Sequence, residues 1–124
     1  MRFSVYGDRV NIGSRLREYI DHHLYFSLGR FAPAIDRVDV RLEDTNGPRG
    51  GIDKRCRIVV KLRTAGSSSI VINDDDENLH AVISRTIARA GRTVARTLDR
   101  KHGKHAYQRR REITDDVLAV EKDI

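Results

Sequence analysis

The fold of this chain is decided by residues 76–104, which read DENLHAVISRTIARAGRTVARTLDRKHGK. Apolar side chains recur there every three or four residues, the spacing that aligns them on one side of an α-helix. They are Leu79, Ile83, Ile87, Ala90, Val94 and Leu98. At about 100° per residue, a second series lies roughly opposite, and its members are Arg85, Arg89, Arg92, Arg96 and Arg100. The segment is predicted to be one long helix with a core-facing side and a cationic side.

The ends of this helix are predicted from charge and glycine. The acidic residues 74–77, DDDE, come at its start, where negative charge suits the positive end of the helix dipole. Lys101 and Lys104 suit the negative end, and Gly103 is the expected stop. Three consecutive aspartates could instead hold magnesium, but carboxylates placed before a helix more often serve as caps.

The cationic side has two interpretations. Arginines on a solvated helix are common, but here Asp99 is the only acid between Arg85 and Arg111, so intrahelical ion pairs are not available. Aligned like charges repel one another, and the planar guanidinium suits phosphate. We therefore predict a polyanion-binding surface, and reversing the charge of two of its arginines, Arg89 and Arg92, is expected to leave folding intact. The predicted nucleic-acid-binding residues are Arg85, Arg89, Arg92, Arg96, Arg100, Lys101 and Lys104.

The distribution of charge supports the same interpretation. The 124 residues are enough for one modest domain, and 34% of them are charged. Residues 1–84 carry 13 basic and 12 acidic groups, residues 85–111 carry 10 and 1, and residues 112–124 carry 1 and 5. A basic block on a nearly neutral domain is typical of proteins that bind nucleic acid or an anionic membrane.

Several function classes are disfavoured. A single cysteine, Cys56, permits no intrachain disulfide and is expected to be a buried, unreactive hydrophobe. The sequence has no apolar run of membrane-spanning length and no apolar signal-peptide core at its start, so we expect a soluble cytoplasmic protein. Because no catalytic or metal-binding motif is present, we expect neither an enzyme nor a cofactor, metal or small-molecule substrate. Adjacent histidines, His22 and His23, would point about 100° apart on a helix and are interpreted as ordinary surface residues.

The rest of the chain supplies a sheet and a second helix. Alternating apolar residues predict strands at 2–6, 37–44, 53–64 and 69–73, with Gly7-Asp8 ending the first. A helix is predicted from Gly13 or Ser14 to about Leu28. The glycine-rich stretch 46–51 lacks a phosphate-binding motif and is interpreted as a hairpin loop that could touch RNA.

The predicted fold class is α+β, with the order β-α-β-β-β-α and two helices packed on one face of a four-stranded sheet, as in double-stranded-RNA-binding domains. The other sheet face carries Arg41, Arg55, Arg57, Lys61 and Arg63. These cations could contact RNA or could simply be balanced by Asp39, Glu43 and Asp53. We expect the folded domain to occupy residues 1–105. Residues 106–124 form a basic and then acidic tail that could be a frayed helix, a docked segment or disordered.

Taken together, these features resemble the ribosome hibernation-promoting factor / ribosome-associated inhibitor A family, also called sigma-modulation proteins. The resemblance covers about residues 1–105 and rests on the element order, on IGSRLREYI at 12–20 and on NLHAVI at 78–83 with the basic row that follows. Residues 46–56 resemble a longer-loop subgroup.

The resemblance implies binding to the small ribosomal subunit in the channel of tRNA and mRNA, with translation blocked under stress or in stationary phase. In the family, the last helix contacts ribosomal RNA, and the matching positions here are Arg89, Arg92, Arg96 and Arg100, with Arg85 as an extension. No large C-terminal domain follows, so the chain resembles the short forms, and its tail at 107–124 favours the forms that oppose ribosome dimers.

The chain departs from the family pattern at four positions. His80 stands where an aromatic is common and Ser84 where an acid is common, while His23 and Phe26 stand about where the first helix often carries lysines. Contacts from the first helix are therefore not carried over.

The alternatives to ribosome binding are a domain for free double-stranded RNA, a membrane-surface helix, and a modulator of a protein partner such as a sigma factor. The membrane alternative is the weakest of these because the apolar side of the helix is needed for the core.

Overall fold

A computed structural model describes residues 1–45, 53–63 and 69–110, with side chains described up to residue 100. The elements are β1 (Arg2–Asp8), α1 (Ser14–Leu28), a 3-10 helix (Gly29–Ala34), β2 (Ile35–Asp44), β3 (Lys54–Leu62), β4 (Ser69–Asp76) and α2 (Leu79–Arg110). Apart from the short 3-10 helix, this is the predicted order. The expectations for the loop at 46–51 and for the tail beyond residue 110 fall outside the described residues.

The four strands form one mixed sheet in the order β1-β2-β3-β4. Strands β1 and β2 are parallel, and α1 lies in the crossover that such a pair requires. The other neighbours are antiparallel. The α+β class is confirmed, although β2 begins two residues earlier than predicted and β3 is shorter at both ends.

The chain divides into two compact units, Met1–Val94 and Ala95–Ile124. The first unit contains the sheet, α1 and the first half of α2. In the second unit the structure describes the helical segment 95–110. The boundary expected between residues 105 and 106 stays a prediction.

The core of the first unit uses alternate strand residues and one side of each helix. Strands β2 and β3 bury their inward residues, and the helices bury most of the apolar rows that the spacing predicted. The exceptions are Leu16, Leu79 and Leu98, which are only partly buried. The largest fully buried side chains are Ile20, Leu24, Leu28, Ile35, Leu42, Ile58, Ile83 and Ile87, followed by Val38, Val40, Val60 and Val82. The buried side of α2 is wider than predicted, because it also includes Val82 and Thr86. Thr86 is tolerated there because its hydroxyl donates a hydrogen bond to the Val82 carbonyl.

Cys56 is fully buried in β3, as predicted. Burial raises the pKa of its thiol to about 12, although a hydrogen bond with Thr86 acts in the opposite direction. The reactive thiolate is therefore scarce at neutral pH.

Strand β1 continues beyond its predicted end. The prediction that residues 7–8 break it is wrong, because they continue the ladder and Gly7 pairs with Leu42. A Cβ at Gly7 would lie 2.4 Å from the carbonyl oxygen of Val10, so glycine lets the chain turn back closely. The strand ends before Arg9, whose φ of 61° is left-handed.

The acidic run before α2 is divided differently from the prediction. Its three aspartates belong to β4, where Asp76 pairs with Lys54 of β3. Helix α2 begins at Leu79, and Asn78 caps it by accepting a hydrogen bond from the N–H of Ala81 at 3.0 Å. The aspartates are strand residues and not helix caps.

The predicted stop at Gly103 is also wrong, because α2 continues to Arg110. One glycine costs a helix only about 1 kcal/mol. Most of the residues that follow, KHAYQRR, are compatible with a helix, so the helix continues through the glycine.

Candidate nucleic-acid interface

The five predicted arginines of α2, here called the α2 arginine row, are all exposed: Arg85, Arg89, Arg92, Arg96 and Arg100. The first three belong to the first compact unit and the last two to the second. The backbone of Lys101 and Lys104 continues the same helix, and their side chains fall outside the described residues.

Arg85 is anchored to the end of β4. Its Nε lies 2.6 Å from Oδ2 of Asp74, and its Nη1 lies 2.8 Å from Oδ2 of Asp76. Its Nη2 also donates to the carbonyl oxygen of Asp75 at 3.0 Å. Three contacts hold this guanidinium in place, and two carboxylates balance its charge.

Arg89 is tied to the same strand, though less tightly. Its Nη1 lies 3.2 Å from the carbonyl oxygen of Asn73 and 3.3 Å from Oδ2 of Asp74. Arg85 and Arg89 therefore have no carboxylate partner within the helix, as the sequence predicted, but β4 supplies partners for both from outside it. Charge reversal at Arg89 would bring a new carboxylate close to Asp74, so it would perturb the fold as well as the surface.

Arg92 differs from these two arginines. It is exposed and has no ion pair within the described part of the chain. It lines a groove between α1 and α2 together with Phe26 and Arg30. In the second unit Arg100 is likewise exposed with no described ion pair. Arg92 and Arg100 thus offer charge that the described protein does not neutralise.

The acidic end of β4 stays ionised because of these contacts. The hydrogen bond from Arg85 is the main cause that lowers the pKa of Asp74. For Asp76, the backbone N–H of Asn78 is the main cause that lowers the pKa, followed by Arg85.

We expect Asp74 to stabilise the protein at neutral pH and to lose this effect in acid. A carboxylate whose pKa is lowered by folding stabilises the folded state above its unfolded pKa, here 3.8, and this stabilisation is lost as pH falls through the folded value. Asp74→Asn should therefore melt a few degrees lower than the wild type at pH 7, and this difference should vanish in strong acid. Melting curves from neutral pH to about pH 2 measure the effect.

The matched control is Asp8→Asn, at an exposed carboxylate with no described ion pair. Its melting temperature should follow the wild type at every pH. A constant offset of Asp74→Asn at all pH values would contradict the role given to the charge of Asp74.

The aspartates of β4 do not form a magnesium site. Alternate strand residues point to opposite faces, so Asp74 and Asp76 bond Arg85 while Asp75 bonds Arg55 at 2.8 Å on the open face. Within the described residues, no group of three or more histidine, cysteine or acidic side chains could hold a metal ion.

The adjacent His22 and His23 have ring planes 84° apart, and His23 packs on Tyr19.

The cations of the open sheet face are partly neutralised. Arg41 pairs with Glu43 at 3.2 Å and Arg55 pairs with Asp75. Arg63 donates through Nε to the carbonyl oxygen of Ile35.

The other two acids that were expected to balance this face have different partners. Asp39 pairs with Arg37, and Asp53 is buried beside Lys54. Two exposed cations of this face, Arg57 and Lys61, have no ion pair within the described chain.

Sequence reasoning missed the close contact between the two helices. A Cβ at Gly91 of α2 would lie 2.9 Å from the carbonyl oxygen of Ser27 in α1. Glycine at this position lets α1 approach α2, and this approach brings Phe26 and Arg30 to the same groove as Arg92. No local sequence signal reveals this contact, because Ser27 and Gly91 lie far apart in the chain.

None of the described helices is long and apolar enough to cross a lipid bilayer.

Comparison with known proteins identifies a matching family and similar solved structures. The model of the family described as sigma 54 modulation protein / S30EA ribosomal protein matches residues 3–102. The Protein Y N-terminal domain from Thermus thermophilus is 22% identical with a TM-score of 0.64, over 78% of this chain and 99% of that one. A ribosomal subunit interface protein from Coxiella burnetii is 13% identical with a TM-score of 0.60, over 80% of this chain and 99% of that one. The comparison with curated proteins gives no match.

Proposed function

The chain belongs to the sigma 54 modulation protein / S30EA ribosomal protein family, and from this we propose that it is a ribosome-associated translation inhibitor of the hibernation type. It binds small-subunit ribosomal RNA in the channel that tRNA and mRNA occupy, and it acts in the cytoplasm, where ribosomes are. The observation that carries the proposal is the α2 arginine row, in which Arg92 and Arg100 are exposed without described ion pairs.

Binding follows from charge and shape. Each arginine that meets an RNA phosphate releases condensed counterions, which makes association favourable and sensitive to salt. Arg85 and Arg89, held by β4, present part of their guanidinium surface at fixed positions, so little side-chain freedom is lost when RNA docks. Structured RNA is recognised mainly through its shape and backbone, and no base-reading element is required.

Inhibition needs no chemical step. The folded body would fill space that tRNA and mRNA require, so translation stops while the protein is bound and resumes when it leaves. No catalytic residue, cofactor or small-molecule substrate takes part in this proposal.

Competition with tRNA tests the location in the channel. Small subunits are loaded with a short mRNA and tRNA and then mixed with the labelled chain, with empty subunits as the control. We expect strong binding to empty subunits and little binding to loaded ones. Equal binding to both would place the chain elsewhere on the subunit.

A second candidate is a domain that binds structured RNA without the ribosome. It is favoured by the same surface, because guanidinium contacts to phosphate would suit any duplex. A free RNA duplex that displaces the chain from small subunits at equal nucleotide concentration would support this candidate. A protein partner such as a sigma factor is the third, and it would show a weaker dependence on salt than RNA does.

A further inference from the structure

A groove runs between the end of α1 and the middle of α2. We call it the Phe26 groove, and its lining residues are Phe26, Ser27, Arg30, Ala88, Gly91 and Arg92. All of them belong to the first compact unit. The groove has a volume of about 320 Å³, near the lower end of the about 300–1,000 Å³ typical of ligand pockets. It is sized for one small planar group and not for a duplex.

Phe26 provides an open aromatic surface in this groove. Its exposure of 83% is the highest among the exposed large hydrophobic residues of the described chain. The neighbouring Tyr25 is also exposed, but it packs edge-on against Phe3 with ring centroids 5.1 Å apart. Phe26 has no such aromatic contact within the described residues, so its ring is free to stack on a ligand.

The charged residues that line the Phe26 groove are both positive. Arg30 and Arg92 line the groove, and no carboxylate is among its lining residues. Neither arginine has an ion pair within the described chain. The guanidinium of Arg30 lies 4.6 Å from the ring centroid of Phe31, a contact that holds it close to the protein surface.

We propose that the Phe26 groove receives one unpaired base of the bound RNA, which stacks on Phe26 while Arg92 and Arg30 bond the phosphates beside it. A flat ring flanked by two guanidinium groups without described ion pairs matches a nucleotide, which offers a planar base and an adjacent negative charge. This inference rests on the proposed function and adds a preference for unpaired nucleotides to it.

The test uses two synthetic RNA hairpins. One carries a single bulged 2-aminopurine, a fluorescent base whose emission changes when its stacking changes, and the other has a fully paired stem. Both are closed by the same compact loop, so that they differ only at the bulge. Stacking on an aromatic side chain contributes about tenfold or more in affinity per base. We expect the chain to bind the bulged hairpin about tenfold more tightly than the paired one and to change the emission of the bulged base.

Phe26→Leu is the decisive variant, with Phe26→Tyr as its matched control. Leucine keeps an apolar side chain but removes the ring, so binding to the bulged hairpin should fall about tenfold and the change in emission should disappear. Binding to the paired hairpin should be unchanged. Tyrosine should retain both the preference and a change in emission. Because Phe26 is exposed, all three proteins should give the same melting curve.

Small-subunit binding by the same proteins separates the two levels of the proposal. If the wild-type chain fails to bind subunits, the proposed function fails, whatever the hairpins show. If it binds subunits but Phe26→Leu keeps the full preference for the bulged hairpin, the stacking inference is overturned and the proposed function stands.

Discussion

Arg92→Glu combined with Arg100→Glu is expected to weaken binding to small ribosomal subunits by about 100-fold or more. Both side chains are exposed and have no ion pair within the described chain, so their charge is available for RNA. Reversal replaces two phosphate contacts with two repulsions. The slope of log affinity against log salt should also decrease by about 2, since each lost contact removes about 0.9. Co-sedimentation over a salt series measures both effects.

The control for this variant is Arg57→Glu combined with Lys61→Glu. It changes the net charge by the same amount, and its two residues are also exposed without described ion pairs, but they lie on the open face of the sheet. The control should retain most of its affinity. Equal loss in both double variants would mean that overall charge, and not the α2 arginine row, directs binding.

Arg92 and Arg100 give a cleaner test than Arg89 and Arg92, the pair suggested by the sequence. Arg89 bonds Asn73 and Asp74 of β4, so glutamate at position 89 would face a carboxylate. A loss of binding in that pair would mix a folding effect with a surface effect.

Gly91→Leu is expected to lower the free energy of unfolding by about 2 kcal/mol. A Cβ at this position would already lie 2.9 Å from a backbone oxygen of Ser27, and the remaining leucine atoms need space that α1 occupies. Overpacking of this kind costs about 1–3 kcal/mol. The cost at Gly91 should be near the upper end of this range, because the obstructing atom belongs to the backbone and cannot rotate away. Replacing glycine within a helix also increases helix stability by about 1 kcal/mol, which offsets part of this cost. Urea unfolding measures the difference.

Two alanine variants accompany it. Gly91→Ala adds only the Cβ, so the gain in helix propensity offsets much of the steric cost and the change should be small. Gly29→Ala is the control, because its Cβ would meet nothing closer than 3.9 Å and its φ of −56° suits any residue. Wild-type stability in Gly91→Leu would contradict the close approach of the two helices.

The sequence predicted the layers of this fold because its signals are local. The apolar spacing of α2 and α1 specifies which sides are buried, and the burial of Ile83, Ile87, Ile20 and Leu24 follows from it. The alternation in β3 likewise predicted the burial of Cys56. Errors came at boundaries, where a glycine or an acidic run was interpreted without knowledge of the neighbouring strand.

The surroundings of the arginine row could not be predicted from local sequence. Asp74 precedes Arg85 by 11 residues. Its role depends on whether the pairing between β3 and β4 continues as far as Asp74. The ladder does extend that far, so the aspartate becomes a partner for the helix in place of a cap. The Phe26 groove depends in the same way on the contact between Ser27 and Gly91, residues far apart in the chain.

Co-sedimentation of the wild-type chain with purified small subunits, in the presence of excess free RNA duplex, tests the central claim most directly. Purified large subunits serve as the parallel sample. We expect the chain to pellet with small subunits at moderate salt, to remain bound when duplex is added and to stay in the supernatant with large subunits. A chain that fails to pellet with small subunits, or that the duplex readily removes, would contradict specific small-subunit binding and leave a general RNA-binding domain.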